Sequence, residues 1–190
     1  MSIERDLQKF PFRMRAAFRN AVAKGKTCGG GIKFVSGYYT DDGAYHPNIV
    51  TAEGQLYMLK AALAGSTQST AWYLALWQNA VVPAESWTAA DFATTAGENT
   101  STTEGYTGNR QVWTPDTPLA DPMSNSNSPA EFNIVTASSV SFQGTALLDT
   151  ATRGGTGGVL LSAAAFDGGP RVKYNGDVFR IVFEQGLQPV

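Results

Sequence analysis

The chain has 190 residues, 43% of them hydrophobic and 16% charged, with a formal net charge of −2. This length and composition fit one domain with a buried core and an appended arm, and exclude a disordered chain. A single cysteine, Cys28, excludes an internal disulfide or a thiolate metal cluster, and no run of 18 apolar residues is present to cross a membrane as a helix.

The first 26 residues hold seven of the fourteen basic side chains against two of the sixteen acidic ones. They carry +5, and residues 27–190 carry −7. "MSIERDLQKF" is polar and Arg19 interrupts the apolar stretch after it, a pattern unlike a cleaved secretory signal. Together with the lone cysteine, this predicts a protein made in a reducing cytoplasm. Residues 2–24 read as helix, broken at Pro11. In "RMRAAFRNAVAK", Met14, Phe18 and Val22 share one face, and Phe12, Ala16, Arg19 and Ala23 share another. So thin an apolar face leaves a lone helix marginal in water, and the segment is expected to fold onto a partner. Gly29, Gly30 and Gly31 then form a hinge, giving an arm over 1–31 and a body over 32–190.

"IKFVSGYYT" (32–40) reads as a strand and "TDDGAYHPN" (40–48) as a turn. A short helix follows over 51–65, capped by Thr51, ended by Gly65, with Leu56, Leu59 and Leu63 on one face. Beyond residue 70 the pattern is mostly β. "AWYLALWQ" (71–78) is an apolar, aromatic strand, and "TAADFATTA" (88–96) allows one or two helical turns. "GNRQVWT" (108–114) reads as a strand and residues 115–130 as a long loop. Four more strands are expected at 131–137, 140–148, 158–166 and 177–185, the last with Phe179, Ile181 and Phe183 on one face. Short strands without long intervening helices point to a mainly β protein, a β-sandwich or jelly roll with one or two short helices.

The usual catalytic and ligand signatures are weak. "GKTCGGG" ends like a phosphate loop, but Asn20 stands where the pattern needs its first glycine, and the residues before it look helical rather than stranded. "GGTGG" (154–158) reads as a hairpin tip. His46, the only histidine, lies in turn-like sequence and is expected at the surface; no G-x-S-x-G elbow accompanies it. "DDGAYHPN" lacks the alternating ligands of a calcium loop. No cofactor or metal is expected, and no enzymatic role. Trp72, Tyr73 and Trp77 are expected in the core, whereas Tyr106, Trp87 and Trp113 sit in polar context and suit subunit contacts. Trp113 with Asp116 would also suit a glycan groove.

From residue 70 onward the order of "WYLALWQNAVVPAESWTAADF", "EGYTGNRQVW", "EFNIVTASSVSFQGTALL" and "GVLLSAAAFDGGPRVKYNGDVFRIVF" resembles the decoration, or cement, proteins of tailed-bacteriophage heads. The resemblance spans roughly residues 70–185 and rests on the order of these stretches. It implies a jelly-roll-like body on the virion's capsid surface, bound between subunits of the major capsid protein as a homodimer or homotrimer. Related modules serve as neck, tail-attachment or fibre adaptors. The resemblance does not reach the arm.

The arm is read from its own residues. Phe10, Phe12 and Phe18 are candidate pocket-filling anchors, and Arg5, Lys9, Arg13, Arg15, Arg19, Lys24 and Lys26 candidate partners for carboxylates. Nucleic acid is the rival partner for such a basic, aromatic segment, but a body at −7 disfavours it. The expected ligand is an acidic protein surface on a second subunit, where tethering makes the added contact effectively intramolecular.

Overall fold

The alternation legible after residue 70 becomes two antiparallel sheets facing each other across an aromatic core. The computed structural model describes residues 32–39, 45–117, 119 and 121–189. The arm and hinge residues named above, Arg5 through Gly31, lie outside the described residues.

The first sheet contains β1 (Ile32–Tyr39), β2 (Tyr45–Pro47), β5 (Gly105–Tyr106), β7 (Met123–Ser124), β8 (Ala130–Val135) and β13 (Val178–Pro189), in the order β2-β1-β13-β8-β5 with β7 also on β13. The second contains β3 (Ile49–Val50), β4 (Trp72–Trp77), β6 (Gln111–Trp113), β10 (Gly144–Leu148) and β11 (Leu160–Ala165), in the order β3-β11-β10-β4-β6. β9 (Ser139–Phe142) and β12 (Arg171–Tyr174) form a separate two-stranded ribbon. Residues 34–186 make one compact unit.

Between the sheets, Tyr38, Tyr106, Phe132, Ile134, Phe179, Ile181 and Phe183 of the first meet Leu74, Leu76, Trp113, Leu147 and Leu161 of the second, with Phe142 and Phe166 joining them. At roughly 1.5–3 kcal/mol for each large apolar side chain removed from water, this cluster is the main source of cohesion. Polar bonds between the sheets fix their relative placement. The Trp113 indole donates to the Phe183 carbonyl (3.0 Å), the Tyr38 hydroxyl to the Ala165 carbonyl (3.1 Å), and the Gln185 amide to Ser162 (2.8 Å).

The second sheet is buried on its other side as well. Ala75, Trp77, Ala146, Leu148, Leu160 and Ala163 pack under Trp87, Ala89, Phe92 and Ala96. This explains why β4 reads as an unbroken apolar run: Leu74 and Leu76 face one core, Ala75 and Trp77 the other. A bulge in β11 pairs Leu147 with Ser162 and Leu148 with Leu160, so Leu161 is the extra residue and joins the inter-sheet core. The covering helix α2 (Ala89–Thr94) starts at a capping box in which the Thr88 hydroxyl accepts from Asp91 N (3.3 Å) and the Asp91 carboxylate accepts from Thr88 N (3.0 Å).

Several expectations need correction. The stretch 140–148 is two strands in different sheets, because the chain turns at Gln143. Tyr45–Pro47, expected as turn, pairs with β1 as β2, and the presumed long loop contains β7. His46 is buried, not on the surface: pairing opposite Tyr38 stacks the two rings at 4.9 Å. Tyr106, Trp87 and Trp113 are also buried, so they do not offer subunit contacts. With its indole turned to Phe183, Trp113 does not line a glycan groove beside Asp116. In each case a polar neighbour in sequence lies on the opposite face of the strand or in an adjoining loop, so local polarity misreports the burial of the aromatic ring.

Candidate interaction face

Helix α1 (Ala52–Leu63) is held against the second sheet by its first turn. Thr51 caps it by accepting from Gly54 N (3.0 Å), and Glu53 accepts from two backbone donors, Ala89 N (3.0 Å) and Leu160 N (2.7 Å). Gly54 lets the helix approach β11 closely: a Cβ there would lie 2.4 Å from the Leu161 carbonyl oxygen. Tyr57 packs edge-on to Trp72 (5.4 Å) and accepts from Ser69 N, and Met58 reaches the inter-sheet core. Residues 54, 57 and 58 therefore form the inner side of the helix.

At about 100° per residue, Leu56, Leu59 and Leu63 fall on the opposite side. They are 51%, 48% and 81% exposed. The periodicity places these leucines together, as expected, but the packing turns the stripe outward. Covering it would stabilise a complex by about 3 kcal/mol, or roughly two orders of magnitude in affinity.

The chemically distinctive side chains elsewhere serve the frame. Arg110 makes a two-pronged ion pair with Glu98 (both contacts 2.7 Å), and neither side chain is exposed. Arg110 also donates to the Thr150 carbonyl (3.0 Å) and hydroxyl (2.6 Å), while Glu98 accepts from Gly154 N (2.7 Å). Arg153 lies 4.0 Å from the centre of the Tyr106 ring and donates to the carbonyls of Asn99, Tyr106 and Gly108. The "GGTGG" tip is thus pinned at its start by two guanidinium groups. The Gly-Tyr-x-x-x-Arg stretch, Gly105-Tyr106 to Arg110, is the site where this pinning meets the core. Glu98 and Arg153 carry no sequence signal of their own, since each pairs across more than ten residues of chain.

Two acids depart from ordinary behaviour. The Thr136 hydroxyl and the Ala137 N–H hold Glu104 below the usual carboxylate range. Burial pushes Glu184 up to about 7, against the hydroxyl of Ser124, its partner across the β7–β13 pair, and with the Asp116 charge adding to the rise. In the folded chain Glu184 keeps its proton up to about pH 7, whereas in the unfolded chain it loses it near 4.5. Its contribution to stability is therefore full below pH 4.5 and declines as pH rises to 7, by on the order of 3 kcal/mol. Glu184→Gln should match the wild type near pH 4 and exceed its stability at pH 8, as read by urea denaturation at the two pH values.

No protein-family model matches the chain, and no curated protein matches it. Among the described residues no group of three or more metal-ligating side chains occurs, and no helix is long and apolar enough to span a membrane.

Proposed function

We propose that this is a non-enzymatic structural protein of a phage virion, a decoration protein that binds the outside of the capsid and clamps neighbouring major capsid subunits. The observation that carries the reading is the outward leucine stripe of α1, three exposed leucines that share one helix face. A contiguous exposed apolar stripe on a packed domain marks a protein-binding surface. The clamp pairs this rigid contact with the basic arm, whose Arg and Lys residues meet carboxylates on a second subunit while Phe10, Phe12 and Phe18 enter pockets. The order of stretches shared with head decoration proteins supports the same reading, as does the sandwich architecture such proteins use. Self-association into a dimer or trimer places several arms on one clamp.

Co-sedimentation with capsids lacking this protein tests the proposal. The full chain is expected to pellet with capsids. A chain lacking residues 1–26 is expected to stay folded and pellet more weakly, with the loss growing as salt is lowered. Salt-sensitive binding to DNA, with indifference to capsids, would instead assign the arm to nucleic acid.

A further inference from the structure

The turn after β11 brings a backbone nitrogen against a side-chain carboxyl. Gly168 N donates to Oδ1 of Asp167, the residue before it, at 2.9 Å, and the Asp167 side chain is 83% exposed. Gly168 and Gly169 have φ of +74° and +100°, and nothing lies within 4 Å of where a Cβ would stand on either. The other carboxylate oxygen, Oδ2, faces His46 Nδ1 at 3.6 Å, while Oδ1 stays against the Gly168 nitrogen. A nucleophile held beside its electrophile has the arrangement that raises intramolecular rates.

We propose that Asp167–Gly168 is a site of spontaneous covalent modification, in which the aspartate converts to isoaspartate through a cyclic imide. The Gly168 nitrogen gives up its proton and bonds to Cγ of the protonated Asp167 carboxyl, whose hydroxyl leaves with that proton as water. Water then adds at the main-chain carbonyl carbon of Asp167 and breaks its bond to the Gly168 nitrogen, so the chain continues through the side chain. One water leaves and one enters, with no change of oxidation state.

The sequence alone would direct attention to Asn175–Gly176, since a carboxamide is a better electrophile than a carboxylate. The fold reverses that order. Gly176 N donates to the Ile134 carbonyl (3.0 Å), and the Asn175 carboxamide oxygen accepts from Thr136 N (3.4 Å), so nucleophile and electrophile are each held by other partners. Conversion at Asp167 also has a structural consequence. Asp167 N donates to the Tyr38 hydroxyl (3.2 Å), on whose ring His46 stacks, and an extra methylene in the main chain loosens that anchor.

The test is to age the full chain at neutral pH, folded and in guanidinium, and to map peptides by mass spectrometry with an isoaspartyl methyltransferase as the specific label. In the folded chain, isoaspartate at 167 should accumulate several-fold faster than deamidation at Asn175, and in guanidinium the order should invert. Asp167→Glu should abolish labelling of that peptide, because the corresponding six-membered ring closes poorly. Faster change at Asn175 in the folded chain, or labelling that persists in Asp167→Glu, would overturn the proposal. If that variant does not fold, the wild-type comparison between folded and denatured chains decides alone.

Discussion

Replacing Arg110 by alanine should destabilise the protein by about 3–5 kcal/mol, the largest single-residue effect expected outside the aromatic core. The magnitude follows from what remains. Glu98 has no solvent exposure, and without the guanidinium its carboxylate keeps only the Gly154 N–H as a donor. An uncompensated buried charge costs far more than the pair contributes when intact. The substitution also releases Thr150 and the tip after it. Arg110→Lys should recover little, since an ammonium cannot reproduce the two parallel contacts to Glu98. The double variant Glu98→Gln, Arg110→Met should recover a substantial part, because no charge is stranded. Urea denaturation midpoints give all three values, and a loss below about 1 kcal/mol in Arg110→Ala would mean that water reaches the pair.

The second large effect concerns attachment rather than stability. On the proposed capsid-clamping role, changing Leu56, Leu59 and Leu63 together to serine should reduce capsid retention by roughly a hundredfold, the binding equivalent of about 3 kcal/mol of lost apolar burial. Folding should survive with a loss of about 1–2 kcal/mol, the summed helix-propensity and partial-burial cost of three leucine-to-serine changes, well short of the roughly 2–5 kcal/mol that each core leucine would cost. This separation of effects distinguishes a docking stripe from a packed helix face. Leucines that belonged to the core would cost stability and binding together. Co-sedimentation and thermal denaturation of the same variant provide both readings.

The elements were more legible in the sequence than their exposure. Short runs bounded by Gly, Pro or Asn locate β8, β11 and β13, the last with period-two alternation, and Thr51 marks the start of α1. Phe179, Ile181 and Phe183 share a buried face as their spacing predicts. The shortest strands, β3, β5 and β7, have two residues each and escape any periodicity argument. Burial was misread wherever it depends on the partner rather than the neighbour. Trp113 and Tyr106 stand among polar residues in the chain yet face Phe183 and Phe132 in space. The reverse holds for the α1 leucines, whose spacing is that of a core face but whose helix is turned by Gly54, Tyr57 and Met58 packing instead. Glu98–Arg110 spans twelve residues and needs the 150–155 turn to close it, so only the fold reveals it.

The central claim is that a rigid β body, docked through α1 and tethered by its basic arm, covers the capsid repeatedly. Quantitative mass spectrometry of purified particles, scaled to the major capsid protein, tests it most directly. The account predicts a copy number commensurate with the major capsid subunits, matched by no similar enrichment in isolated tails. A count fitting a single vertex or tail ring, or absence from particles that retain their full capsid, would contradict it.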